Sequence, residues 1–258
     1  MRKFCVGDIH SSYKGLIQVF ESSNFDFNND KVIFSGDYLD GWSQSKETLD
    51  FILSIPNKEC IMGNHDEWLL YYYKNLEHYA NDKSDTDYSV WKAHGGGNTI
   101  KSLGDKGFIE QKYLNFYNSL KYYHEEDGNL FIHAGYSILE DDNGDISNLT
   151  KQHPYSLVWD REFINTVYLN RNNINFKLNS SWKEIFIGHT PTIKFDTEYK
   201  TPQNWLNVWN VDTGSAFTGR ISMMDIETKE VFQSDDCMKL YPDEKGRNKY
   251  SYNQLNSF

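Results

Sequence analysis

The chain has 258 residues, 38% of them hydrophobic, 16% aromatic and 24% charged, and a formal net charge of −11. That composition fits a well-filled core under a polar surface, and the acidic balance argues against stable partnership with duplex nucleic acid or an anionic membrane, where neutralised phosphate supplies most of the affinity. Small phosphorylated substrates stay open, because bound metals can offset their charge.

Cys5, Cys60 and Cys237 are odd in number and widely spaced, so neither a disulfide framework nor a zinc knuckle is expected. The start, Met1-Arg2-Lys3-Phe4-Cys5-Val6, lacks a signal-peptide pattern, and no apolar run reaches the roughly 20 residues of a membrane span. A soluble, cytoplasmic protein is the expectation. In chain order, residues 3–7 predict a buried strand running into Asp8 and His10. Ser11 and Ser12 can cap a helix whose apolar face is Leu16, Val19 and Phe20. Residues 31–35 predict a second strand, 45–53 a helix, 59–62 a third strand and 67–79 an aromatic helix. This threefold strand–loop–helix rhythm argues for parallel strands with crossover helices. Residues 81–119 break the rhythm and predict a helical insertion. Its Gly95-Gly96-Gly97 run is read as a turn rather than a phosphate loop, although glycine amides can bind anions. Residues 120–124 and 129–133 flank Asp127-Gly128, a hairpin signal. A strand at 184–187 follows an asparagine-rich stretch, read as loop or irregular helix. Residues 205–211 and 220–226 then predict antiparallel strands, and Val231-Phe232 could close the sheet. One domain over 1–236 is expected, with a polar and loosely held tail at 237–258.

The chemistry-bearing residues fall at strand ends: Asp8 and His10, Asp37 and Asp40, Asn64 and His65, His133, and His189. A charge buried there is costly without a partner. Oxygen and nitrogen ligands without sulfur suit manganese, iron or zinc in a non-structural site. So many ligands admit two metals about 3.5–4 Å apart, the spacing that clamps an in-line phosphoryl displacement.

Gly7-Asp8-Ile9-His10, Gly36-Asp37-Tyr38-Leu39-Asp40, Gly63-Asn64-His65-Asp66, His133-Ala134-Gly135 and Gly188-His189-Thr190-Pro191 occur in that order, followed by Asp212-Thr213-Gly214. The set resembles the calcineurin-like metallophosphoesterases, and within them the bacterial and phage serine/threonine phosphatases. The resemblance implies an α/β fold of two packed mixed β-sheets flanked by helices, with two divalent metals, manganese first and iron, zinc or magnesium as alternatives. Asp8 and His10 would bind one metal, Asn64, His133 and His189 the other, and Asp37 would bridge them. A hydroxide between the metals would attack phosphorus, and His65, oriented by Asp40, would protonate the leaving oxygen. Arg161, in Trp159-Asp160-Arg161-Glu162, resembles a phosphate-contacting arginine of that branch, and Asn64 would share in holding the phosphate.

The chain departs from the branch at Gly41 and Trp42, where an Arg-Gly pair is usual; glycine cannot copy a bidentate arginine contact. Ser11 also replaces a glycine. Trp42 beside the site is read as a surface for stacking a nucleobase or another planar group. The expected function is a serine/threonine-phosphatase-like phosphomonoesterase acting on a phosphorylated protein or small phosphoester. The alternatives are a nucleotide hydrolase, cutting dinucleoside polyphosphates or cyclic nucleotides, and a non-catalytic metal-binding scaffold. His94 and His124 are read as surface or packing residues.

Overall fold

A computed structural model describes residues 1–75, 86–104, 110–137, 149, 152–178 and 181–255. Two five-stranded mixed sheets face each other. The first contains β1 (Lys3–Val6), β2 (Lys31–Phe34), β3 (Lys58–Cys60), β9 (Ser222–Asp225) and β10 (Val231–Gln233), in the order β10-β9-β1-β2-β3. Strands β1, β2 and β3 run parallel, and β9 and β10 are antiparallel additions. The second contains β4 (Tyr123–Glu126), β5 (Asn129–Ile132), β6 (Ile185–Ile187), β7 (Gln203–Trp205) and β8 (Val208–Asn210), in the order β4-β5-β6-β8-β7. Its central strands β5, β6 and β8 are parallel.

Strand alternation sorts the core into layers. Cys5, Ile33, Phe131, Phe186, Val211 and Met224 fill the space between the sheets. Their neighbours Phe4, Val6, Val32 and Phe34 point outward under helices α1 (Tyr13–Ser22), α2 (Ser45–Ser54) and α3 (Asn64–Lys74). Leu130, Ile132, Ile185 and Ile187 do the same on the far side, under α7 (Pro154–Trp159) and α8 (Glu162–Leu169). Strands buried on both faces read as continuous apolar runs, which is why the sequence shows them so clearly.

The insertion begins with α4 (Thr86–Trp91), kinks within Lys92–Gly96, and continues as α5 (Gly97–Leu103) and α6 (Gln111–Ser119). The glycine run is a turn, with a break at His94 and Gly95 that lays the chain against Asp40. The aromatic helix ends at Lys74 with Asn75 as its C-cap, and residues 76–79 of the expected run lie outside the described residues. Asp127 and Gly128 turn the β4–β5 hairpin with φ of 54° and 78°, both positive as a type I′ turn requires.

Three readings change. Residues 205–211 are not one strand: β7 and β8 form their own hairpin through Leu206 (φ 59°). The stretch 220–226 pairs with β1 in the opposite sheet, so Asp212-Thr213-Gly214 carries the chain from one sheet to the other. As far as residue 255, the C-terminal segment is not loosely held. It forms α9 (Cys237–Leu240) and α10 (Tyr252–Leu255), and Cys237, Met238 and Tyr241 are buried.

Candidate functional site

The loops leaving β1, β2, β3, β5, β6 and β8 converge. The β1 and β2 loops run side by side: the amides of Ile9 and His10 donate to the Asp37 carbonyl at 3.1 and 3.0 Å, and Ser11 N donates to Tyr38 O at 2.9 Å. His10, Ser11, Asp37, Asp40 and His189 all have positive φ, between 49° and 68°. Each such non-glycine residue costs free energy that the surrounding bonds must hold in place. One holding group was not singled out by the sequence reading. The Asp66 carboxylate accepts from Asp37 N at 2.7 Å, Gly63 N at 2.9 Å and Tyr38 N at 3.2 Å, tying the β2 loop to the first turn of α3. The signal was available, since an acidic residue at the third helical position is a capping-box feature.

Side chains gather on Asp37. Its carboxylate lies 3.5 Å from His10 Nε2 and 3.4 Å from His133 Nε2, and it accepts from His65 N at 2.9 Å. His10 Nδ1 lies 3.0 Å from both Leu39 O and Asp40 O, and His133 Nδ1 2.7 Å from Ser35 O. Donation to those carbonyls leaves each Nε2 with its lone pair turned toward Asp37. The Asn64 amide oxygen is 2.8 Å from His189 Nδ1 and 3.2 Å from His133 Nε2. His65 Nδ1 is 2.9 Å from Asp40 Oδ2. Asp40 is gripped by the insertion: Trp91 Nε1 donates to it at 2.5 Å and Thr99 Oγ1 at 2.6 Å. The sequence reading had given neither residue a role.

Electrostatics favour cation binding. Burial raises the pKa of Asp8, with Asp212 and Asp37 adding to the rise, and burial lifts Asp212 to about 6. Burial also acts to raise Asp37, but the imidazoles of His133, His65, His10 and His189 outweigh it and hold that carboxyl below the usual range. Burial holds His10 down at about 3 and lowers His133 and His189, so these rings are neutral at neutral pH, the form that can ligate a cation. Among the described residues no lysine or arginine forms an ion pair with Asp8, Asp37 or Asp212. The buried His189 Nε2 has no hydrogen-bond partner. Two groups of donor atoms, each spanning no more than 4.8 Å, could each hold a metal: His10, Asp37 and His65, and Asp37, His133 and His189. The donors therefore fit a pair of cations that share Asp37.

All six residues expected to ligate come together here, with one difference in grouping. Asp8 stands outside both tight groups, 3.8 Å from His10 Nε2 and accepting from His189 N at 3.1 Å, while His65 lies inside the first. Arg161 is exposed at the mouth and donates to Thr190 Oγ1 at 2.8 Å. Trp42 offers no stacking surface: it is fully buried, donates from Nε1 to Ser215 O at 2.8 Å, and stacks on Tyr241. An indole this large beside a hydrophobic layer is worth more inside than out.

The sequence profile of the calcineurin-like phosphoesterase family matches residues 1–213. The chain belongs to that family. Among curated proteins, the chain is 30% identical over 95 residues to a symmetrical bis(5'-nucleosyl)-tetraphosphatase of Buchnera aphidicola, covering 36% of this chain and 34% of that protein. It is 37% identical over 87 residues to the enzyme of that name from Cellvibrio japonicus, covering 33% and 32%. The match thus spans about a third of these relatives' length. In three dimensions the chain is similar to a protein serine/threonine phosphatase from Saccharomyces cerevisiae, with a TM-score of 0.57 and 14% identity, covering 96% of this chain and 83% of the other. That likeness shows the shared fold. No described helix is long and apolar enough to cross a membrane.

Gly63 gives the close packing around Asp37 a direct test. A Cβ there would stand 2.2 Å from Asp37 Oδ1 and 2.4 Å from Asp37 N. Gly63→Ala is expected to cost about 1–3 kcal/mol of stability through overpacking and to displace Asp37. Thermal unfolding and metal titration check this; a variant with wild-type stability and metal affinity would refute it.

Proposed function

We propose that the chain hydrolyses phosphate esters with two divalent cations, one held by Asp8, His10 and Asp37 and the other by Asp37, Asn64, His133 and His189. The observation that carries this is the pair of buried donor clusters meeting at one carboxylate that, among the described residues, no lysine or arginine pairs with. When bound, the metals would supply Lewis acidity toward phosphoryl oxygens and make a water nucleophilic at neutral pH, with manganese the first candidate. The chain's own groups orient and protonate. Carbonyls of Leu39, Asp40 and Ser35 fix the His10 and His133 tautomers. Asp40 accepts a hydrogen bond from His65 Nδ1–H, so a proton carried on Nε2 is the one available to the leaving oxygen. Arg161 stands at the mouth to meet the phosphate, and Asn64 shares it with the second metal.

For the substrate, the relatives named as symmetrical tetraphosphatases support dinucleoside polyphosphates at least as well as the residue pattern supports phosphoserine or phosphothreonine. The buried Trp42 removes the base-stacking argument that the sequence offered for nucleotides. Arg161 and the serine/threonine-phosphatase resemblance keep phosphomonoesters in contention.

A panel of phosphopeptide, dinucleoside tetraphosphate, cyclic nucleotide and aryl mono- and diesters, each with Mn, Zn and Mg, tests the reading. Activity should vanish with chelator and return with metal. Metal at about 100 times its Kd should add about 2.7 kcal/mol of stability, read as a rise in Tm. No turnover of any ester with any metal would leave a metal-binding scaffold.

A further inference from the structure

The loop that departs from the family pattern is the loop on which the C-terminal segment is seated. A Cβ at position 41 would lie 2.6 Å from the His10 carbonyl oxygen and 2.9 Å from His10 Cβ. No arginine fits there unless His10 moves. Beyond it, the Trp42 ring lies 5.1 Å from that of Tyr241 at an interplanar angle of 17°. Ser43 donates to the Glu244 carboxylate from N at 2.9 Å and from Oγ at 2.7 Å. The Tyr241 hydroxyl accepts from Lys14 N at 3.0 Å and donates to Gln44 Oε1 at 2.7 Å. Arg247 N donates to Ala216 O at 2.8 Å.

These bonds deliver one side chain to the site mouth. Arg247 shares a cavity with His10, His189, Asp212, Arg161 and Lys194. Its Nε is buried without a hydrogen-bond partner, and among the described residues its guanidinium makes no ion pair. Asp37, Asp40, Asp212 and Asp8 nevertheless all act on its charge. The guanidinium carbon lies 5.2 Å from the centre of the Phe217 ring, which limits its swing. A guanidinium with anchored backbone and unspent donors suits a planar, bidentate oxyanion contact.

We propose that Arg247, carried in by the C-terminal segment on its Trp42–Tyr241 anchor, binds the phosphoryl oxygens of substrate and product beside Arg161. It takes the place of the arginine that the phosphatase branch carries directly after the last aspartate of its second motif. The proposal rests on the phosphoester reading above and adds a residue beyond the matched span of 1–213.

The rival role is charge balance alone, in which Arg247 offsets the carboxylates and never meets phosphate. Four measurements on the metal-loaded full chain separate the two: inorganic phosphate affinity by calorimetry, KM and kcat for an aryl phosphate, metal content and Tm. In Arg247→Gln, phosphate affinity should fall and KM rise by about tenfold to a hundredfold, the range of a lost charge-assisted pair of hydrogen bonds, with metal content unchanged. Arg247→Lys keeps charge and stem but not the fork, and should still bind phosphate several-fold more weakly than wild type. Phosphate affinity within twofold of wild type in either folded variant overturns the proposal. If wild type binds phosphate through Arg247 yet cleaves no ester, the hydrolase reading falls and this one stands. If cleavage is metal-dependent and both variants keep wild-type KM and phosphate affinity, the reverse holds.

Discussion

Asp37→Asn is expected to lower kcat/KM for an aryl phosphate by about a thousandfold or more. Asp37 is the carboxylate common to both donor groups, and metal stabilisation of a phosphoryl transfer is worth several kcal/mol, at about 1.4 kcal/mol per tenfold in rate. The substitution is nearly isosteric, and an amide oxygen can still accept from His65 N. What it removes is the charge that His10 and His133 face at 3.5 and 3.4 Å. Elemental analysis should find less bound metal than in wild type, and excess manganese should restore little activity. A variant with full metal content and a rate within tenfold of wild type would mean that Asp37 does not bridge.

His65→Ala should cost about 10²–10⁴ in kcat, the range of a lost general acid. The loss should depend on the leaving group, because a nitrophenolate departs without a proton and an alkoxide does not. Alkyl phosphate turnover therefore falls far more than nitrophenyl phosphate turnover. Metal content decides between two roles, since His65 lies in one donor group with His10 and Asp37. Retained metal with a leaving-group-dependent defect fits a proton donor. Lost metal with an equal defect on both substrates would make His65 a ligand and sink the assignment.

The parts of this molecule that the chain announces are those whose cause is local. The strands β1, β2, β5 and β6 are apolar on both faces and break into polar groups at once, so Asp8, Asp37, His133 and His189 stand out against what precedes them. Asp127-Gly128 fixes its hairpin by backbone conformation alone. What stayed hidden depends on pairing across long separations. Nothing near residue 42 says that its indole will meet Tyr241, and a segment as polar as 237–258 looks solvent-bound although Cys237, Met238 and Tyr241 are buried. Residues 205–211 look like one strand because the break at Leu206 is a backbone twist, not a glycine or proline. The roles of Trp91 and Thr99 follow from how the insertion folds back over Asp40, which periodicity does not encode.

The two donor groups also differ in what they fasten. His10, Asp37 and His65 all issue from one leaf of the sandwich, whereas Asp37, His133 and His189 reach across from that leaf to the other. A small parting of the leaves would leave the first group whole and pull the second apart. Loading the second site would rivet the leaves together at that end, and the apoprotein would breathe there. Fast amide hydrogen exchange along the ends of β5 and β6 would then be the mark of a singly loaded molecule.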